Sequence, residues 1–158
     1  MNYLYRVLSA CCLLWCLLIG HSAYASHAAG ADLSYTCLGN NQYRITLNFY
    51  RDCSGITPSN TTVDISSATC GRTSSLTLTQ QGAPVEVSQL CPAQIGNSTC
   101  NGGTLPGIQR YTYTGTYTFP VQCTDWVIGY GENARNSAVT NLTSPGSYDL
   151  NPAMRVDT

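Results

Sequence analysis

The chain has 158 residues, of which only 9% are charged, and its formal net charge is −1. All seven basic residues are arginines, and they are scattered along the sequence. The chain therefore lacks the basic patch that binds nucleic acid, and we expect no nucleic-acid partner.

Residues 1–25 have the features of a secretory signal peptide. Arg6 gives a positive start, residues 7–20 are almost entirely apolar, and Ala-Tyr-Ala at 23–25 matches a small-x-small cleavage site. We predict cleavage after Ala25 and an exported domain of residues 26–158, secreted or held at the cell surface.

A second interpretation of the N-terminal segment is a lipobox. Residues 8–11 match that motif, which would attach a lipid to Cys11, but most of the apolar region follows this cysteine rather than preceding it. The signal peptide is therefore the preferred interpretation. No later apolar run is long enough to span a bilayer, so we expect no transmembrane segment in the mature chain.

The first predicted element is a β-hairpin. Residues 33–37 and 43–50 both alternate between apolar and polar side chains, which is the period of a half-buried strand. Residues 38–42 between them contain Gly and Asn, which favour a tight turn.

Further short strands follow, separated by residues that favour turns. The stretch 91–107 is rich in Gly and Pro and is predicted to be irregular. About eight antiparallel strands indicate an all-β sandwich, Ig-like in its general architecture. The strands after the hairpin are predicted at 61–65, 75–79, 85–87, 109–119, 125–130, 136–142 and 147–156.

The strand at 109–119 has one aromatic face and one threonine face. Tyr111, Tyr113 and Tyr117 share the aromatic face, and Gly115 in the middle indicates a bulge or a close approach. The three tyrosines could stack against a glycan. The preferred interpretation is that they form the inner face of the sandwich.

Six cysteines lie in the predicted mature chain, and an even number behind a signal peptide favours disulfides over metal sites. We predict a Cys91–Cys100 disulfide that holds the irregular stretch, worth roughly 2.7 kcal/mol in the chain-entropy model. Two more disulfides are expected among the other four, with Cys53–Cys70 preferred because both residues flank short loops. The six are Cys37, Cys53, Cys70, Cys91, Cys100 and Cys123.

The chain offers little catalytic chemistry. His21 is removed with the signal peptide and His27 lies at the mature N-terminus, so the domain lacks the commonest general base. Asp52, Ser54, Gly55 and Asp64 could provide oxygens for calcium, but they lack the dense acidic loop of a calcium site. We therefore predict no enzyme, no cofactor and no metal. Carboxylates that could form a glycosidase pair are Asp52, Asp64, Glu86, Asp125 and Glu132, but their spacing does not favour one.

The final run ends without a closing turn. Residues 147–156 read as a strand, and no turn signal follows before Thr158. We expect the module to be truncated at its C-terminus, with the neighbour of this last strand in sequence that is missing.

Several segments together resemble the N-terminal module of large secreted surface proteins of gliding bacteria. Those proteins continue into repeat domains and end in a gliding-motility-associated domain that directs type IX secretion. In this chain the segments are residues 35–39 (Tyr-Thr-Cys-Leu-Gly), 43–55 (ending in Tyr-Arg-Asp-Cys-Ser-Gly), 88–92 (Ser-Gln-Leu-Cys-Pro), 98–107, 125–126 (Asp-Trp) and 135–142.

The resemblance implies a non-catalytic surface module with an adhesive or structural role. Its expected partners are surface polysaccharide or other surface proteins, and a carbohydrate-binding module is the alternative function. This chain departs from the family pattern in one motif, since Asn133 and Ala134 stand where a Cys-Cys pair often precedes Arg-Asn. The sorting domain is not among these 158 residues, so type IX export is expected only for an assumed full-length protein, and the family supplies no catalytic residues.

Overall fold

The structure, a computed structural model, describes residues 28–133, 135 and 150–158. The predicted signal peptide, the strand predicted at 136–142 and the first part of the one predicted at 147–156 lie outside the described residues. Among the residues described, no helix is long and apolar enough to cross a membrane.

The described residues form eight β-strands and two short 3-10 helices. The strands are β1 (Ala28–Gly39), β2 (Gln42–Asp52), β3 (Thr61–Ser67), β4 (Arg72–Gln80), β5 (Val85–Glu86), β6 (Ile108–Thr118), β7 (Trp126–Gly129) and β8 (Ala153–Val156). The 3-10 helices are Pro92–Asn97 and Thr99–Asn101.

The strands form one continuous antiparallel arrangement in the order β1-β2-β6-β4-β3-β7-β8, with β5 added beside β6. Strand β4 pairs with β3 up to Leu78 and then with β6 through Thr79 and Gln80. It therefore passes from one layer to the other, as strands do at the corner of a sandwich. The predicted fold class, an all-β antiparallel sandwich with disulfides, is confirmed.

The first hairpin agrees with its prediction. Asn40 and Asn41 form the turn with φ of 53° and 57°, the left-handed conformation that Asn adopts more readily than most residues. This turn sets the register in which Leu33 lies opposite Leu47.

The core lies between the two layers and follows the alternation in the sequence. Ile45, Leu47 and Phe49 of β2 are buried together with side chains from the opposite layer. Among the latter, Trp126 is fully buried at the start of β7. The buried apolar residues in the strands of the second layer are Val63, Ile65, Leu78, Trp126, Ile128 and Val156.

The aromatic face of β6 belongs to this core. Tyr111 and Tyr113 are only 3% and 1% exposed, so they do not form an open glycan-stacking platform. Tyr117 is half-buried and packs edge-to-face on Phe119, with ring centroids 5.0 Å apart. The inner-face interpretation therefore holds, because the register aligns Tyr113 with Leu47 and Tyr111 with Phe49.

Gly115 marks a close approach rather than a bulge. The pairing of β2 with β6 runs without a register shift, with Gly115 opposite Ile45. A Cβ at this position would lie 2.7 Å from Leu78 Cδ2 and 3.0 Å from Leu76 Cδ2. Glycine therefore lets β4 cross closely over β6.

The predicted disulfide pairing is wrong. The structure contains Cys53–Cys100 and Cys70–Cys123, while Cys37 and Cys91 are free and exposed. Pairing of Cys53 with Cys70 is prevented by topology, because the seven residues of β3 separate them by roughly 20 Å.

The irregular stretch is held by β2 rather than by its own Cys91. The Cys53 amide donates to the Gly107 carbonyl at 2.9 Å, which brings this stretch beside the end of β2 and Cys100 within reach of Cys53. The Asn101 amide group also donates to Glu86 at 2.9 Å. A disulfide does hold this stretch, as predicted, but Cys100 pairs with Cys53 and not with Cys91.

Strand β8 pairs with β7, with Val156 opposite Trp126. Strand β8 therefore has one neighbour inside the chain, contrary to the expectation that its neighbour lies in missing sequence. It is the last strand of the order, and truncation of the module at its C-terminus stays a prediction.

Candidate functional site

Four of the five carboxylates considered for catalysis accept hydrogen bonds within the protein, namely Asp52, Glu86, Asp125 and Glu132. Asp52 accepts from the amide and hydroxyl of Ser54 at 2.9 and 2.7 Å, and this turn follows β2. Glu86 accepts from Ser88 at 2.7 Å in addition to Asn101. In the part of the chain that is described, no group of three or more His, Cys, Asp or Glu could hold a metal ion.

A cavity of about 230 Å³ opens at the end of the sandwich where β2 finishes and β3 begins. Its walls combine three aromatic rings with an arginine and a carboxylate, and the loop of residues 56–61 forms its rim. Apolar walls with a few converging polar groups are typical of small-ligand sites. The wall side chains are Phe49, Arg51, Tyr113, Tyr130 and Glu132.

Arg51 reaches the cavity because the alternation of β2 continues past the apolar positions. Ile45, Leu47 and Phe49 point into the core, and Arg51 is the next residue on the same face. Its neighbour across the sheet is Gln109. The inner face of this sheet therefore becomes polar where it meets the end of the sandwich.

The Arg51 guanidinium holds the wall of the cavity in place. Nη1 donates to Gln109 Oε1 at 3.2 Å and to the Tyr111 hydroxyl at 3.0 Å. Nη2 donates to the carbonyls of Cys53 at 3.1 Å and Gly55 at 2.6 Å. All four acceptors are neutral. The fifth donor, Nε–H, is buried and has no partner among the described residues.

The Tyr113 hydroxyl is the second buried donor without a partner among the described residues. Burial, and then the neighbouring Tyr111, raise the pKa of Tyr113 to about 12. The phenol is therefore neutral at physiological pH and keeps its proton available to donate.

The opposite wall carries a paired phenol and carboxylate. Tyr130 donates its hydroxyl to Glu132 Oε2 at 3.0 Å. Burial, followed by the Glu132 carboxylate, raises the pKa of Tyr130 above its ordinary value. Tyr130 follows β7 and is 6% exposed, so its ring is a fixed part of the wall.

The sequence alone indicates only part of this site. Tyr113 was assigned to the inner face, but the side chains that it meets were not recognised. The period-2 pattern of β2 could have placed Arg51 on the inner face beyond Phe49. No local signal joins Tyr130 and Glu132 to Arg51, because they follow β7 in the other layer, far from β2 in the sequence.

Comparison with protein-family models, curated proteins and solved structures found no match to this chain. The structure itself defines the class: an all-β, disulfide-bonded sandwich with a cavity of mixed apolar and polar lining at one end.

Proposed function

We propose that the chain is a non-catalytic, exported module of a secreted or cell-surface protein, with an adhesive or structural role. The pair of disulfides carries this proposal. Cys53–Cys100 and Cys70–Cys123 join residues 47 and 53 positions apart, and disulfides persist mainly in oxidising compartments outside the cytosol.

The sequence supports the same assignment. The signal-peptide features of residues 1–25 provide a route of export, and the resemblance to surface proteins of gliding bacteria provides a context of large multidomain chains. The partners proposed in that context are surface polysaccharide or other surface proteins.

Expression with the native N-terminus in an exporting bacterial host tests the location. The secreted product should begin at Ser26, and its mass should show two disulfides. A lipidated species beginning at Cys11, or a fully reduced product retained in the cytosol, would contradict the export proposal.

The adhesive or structural role is tested with the oxidised chain. If the role is adhesive, beads coated with the chain should be retained under flow on a bacterial surface. If the role is structural, the beads should not be retained, and the chain should unfold cooperatively and reversibly. Reduced and alkylated chain is the control coating. Release of reducing ends from a panel of polysaccharides would overturn the non-catalytic assignment.

A carbohydrate-binding module is the second candidate, and the cavity is the observation that favours it. Aromatic rings beside hydrogen-bonding groups suit the apolar and polar faces of a sugar. Incubation of the oxidised chain with a glycan array tests this function, which predicts saturable binding to a restricted set of glycans.

A further inference from the structure

The irregular stretch of residues 91–107 contains a free thiol as well as one half of a disulfide. Cys91, at its start, is free and exposed, whereas Cys100 is bonded to Cys53 just after β2. A thiolate breaks a disulfide by attacking one of its sulfurs, so accessibility of both groups matters. Cys53 and Cys100 are each only half-buried. The fold therefore places an accessible thiol and an accessible disulfide sulfur in the same short stretch.

Hydrogen bonds to one carboxylate bring the surroundings of the two groups together. Glu86 accepts from the Ser88 hydroxyl at 2.7 Å and from the Asn101 amide group at 2.9 Å. Cys91 follows Ser88 by three residues, which is at most about 10 Å of extended chain. Cys100 directly precedes Asn101. A local rearrangement of the stretch is therefore enough to bring the Cys91 Sγ to the Cys100 Sγ.

Most of the segment between these two cysteines is exposed. The 3-10 helix at Pro92–Asn97 contains no buried residue. Several backbone hydrogen bonds of the stretch lie within the stretch itself, such as those from the Thr99 amide to the Leu105 carbonyl at 2.7 Å and from the Leu105 amide to the Asn97 carbonyl at 2.9 Å. Segments that bury little surface open at a lower free energy than the whole domain. This segment can therefore rearrange while the sandwich stays folded.

We propose that Cys91 exchanges with the Cys53–Cys100 disulfide within one chain. The Cys91 thiolate attacks the Cys100 Sγ, a Cys91–Cys100 bond forms, and the bond to Cys53 breaks with its electron pair leaving on the Cys53 Sγ. The proton lost by Cys91 is replaced on Cys53 from solvent, so the step needs no oxidant or reductant and the number of disulfides is unchanged. Cys100 is the sulfur attacked because it lies on the same stretch as Cys91 and stays close when that stretch rearranges.

The exchange changes how the rim of the cavity is held. In the native pairing the disulfide anchors Cys53, which precedes the loop of residues 56–61 at the rim. Arg51 also donates to the carbonyls of Cys53 at 3.1 Å and Gly55 at 2.6 Å. After the exchange, this loop is held only by noncovalent contacts, and the irregular stretch is no longer bonded to the end of β2. The exchange is therefore a switch between a rim that is tethered covalently and one that is not.

Tryptic mapping distinguishes the two pairings. Trypsin cleaves after arginine and yields the peptide 73–110, which contains both Cys91 and Cys100. In the native pairing this peptide stays bonded to peptide 52–72 through Cys53, whereas after the exchange it is released with an internal disulfide.

The oxidised chain is incubated at about pH 8, where thiolate forms, without added thiol. Samples are then alkylated at acidic pH, digested and analysed by mass spectrometry. Chain kept at acidic pH is the zero-time sample and should show the native pairing. We expect the released peptide to appear over minutes to hours, the usual range of uncatalysed disulfide rearrangement.

Cys91→Ser and Cys37→Ser are matched variants, because each removes one exposed free thiol. Cys91→Ser should slow the release at least about tenfold, since exchange between chains occurs at a much lower effective concentration of thiol. Cys37→Ser should release the peptide at the rate of the unsubstituted chain. Both variants should retain two disulfides and an unchanged melting temperature, which separates loss of exchange from loss of folding.

Four results would overturn the proposal. No release from the folded chain would show that the disulfide is static, and equal rates in the two variants would assign the attack to a thiol other than Cys91. A rate that rises with chain concentration would show exchange between chains. A new bond between Cys91 and Cys53, with Cys100 free, would mean that the other sulfur is attacked. The proposed surface role is independent of all four results.

Discussion

The polar groups at the two ends of β3 differ in whether they have hydrogen-bond partners. At the Ser67 end, Asp125 accepts from the Ser67 hydroxyl at 2.5 Å, from the Thr69 amide at 2.9 Å and from the Thr69 hydroxyl. At the Thr61 end, the Tyr113 hydroxyl and the Arg51 Nε–H are buried behind the cavity wall and have no described partners. The described polar groups at one end are satisfied within the protein, whereas two buried donors at the other have no described partner.

The pKa shifts reflect the same difference. Hydrogen bonds from Ser67 and then Thr69 hold the pKa of Asp125 well below its usual range, because they stabilise the carboxylate. Burial raises the pKa of Tyr113, because the phenolate would be poorly solvated there. Hydrogen bonds stabilise the ionised form of Asp125 at one end, and burial disfavours the ionised form of Tyr113 at the other.

Loss of the disulfide at the Ser67 end should have the largest effect. Cys70 and Cys123 are 53 positions apart, and the chain-entropy model gives about 4 kcal/mol for a loop of that length. We expect the double variant Cys70→Ser, Cys123→Ser to lose about this much free energy of unfolding, measured by urea denaturation under oxidising conditions.

The control for that experiment uses the two exposed free thiols. Cys37→Ser with Cys91→Ser should change the free energy of unfolding by no more than about 0.5 kcal/mol, as surface substitutions usually do. In the unsubstituted chain, alkylation before reduction should label only these two of the six cysteines from Cys37 onward. Equal stability of the two double variants would contradict the assigned pairing.

The hydroxyl of Ser67 should be the next most important group at this end. It is 3% exposed, donates to Asp125 and accepts from the Cys70 amide at 3.1 Å. Ser67→Ala leaves that amide unpaired, so we expect a loss of about 1–3 kcal/mol in the free energy of unfolding. Ser66→Ala, on the exposed face of the same strand, is the control and should be near neutral. Similar effects of the two would show that these hydrogen bonds contribute little.

Asp125 should make this end sensitive to acid. Its pKa is lowered in the folded state, so its stabilising contribution is present above the unfolded pKa of about 3.9 and is lost as pH falls through the folded value. Urea denaturation between pH 7 and pH 2 should show stability falling in the acid range. Asp125→Asn should be less stable at pH 7 and should flatten this dependence. An unchanged pH profile in the variant would assign the acid sensitivity to other carboxylates.

The sequence predicts which strand faces are buried between the two layers better than it predicts which residues meet at the ends of the sandwich. Alternation over β2 and β6 is local information, so the buried faces, including Tyr111 and Tyr113, follow from it directly. Disulfide partners depend on which strand ends meet in space. That is why Cys53 pairs with Cys100 and not with Cys70, although both candidates flank turns.

The residues that line the cavity illustrate the same limit of prediction from sequence. Arg51 could be placed on the inner face from its position two residues after Phe49. Its facing groups, Tyr130 and Glu132, belong to the other layer, and only the crossing of the two layers brings them to the same opening. A pattern with a period of two residues contains no information about that crossing.

The smallest effect on stability, and one of opposite sign to that of Ser67→Ala, is expected at the cavity end. Tyr113→Phe keeps the buried ring and removes a hydroxyl that has no described partner, so the cost of burying that group disappears. We expect the free energy of unfolding to stay the same or to rise by up to about 1 kcal/mol in urea denaturation, with Tyr117→Phe as the control. A loss of 1 kcal/mol or more would mean that the hydroxyl is satisfied in solution, by water or by the protein. In that case the two ends of β3 would both use their polar groups for stability, and the contrast between them would no longer hold.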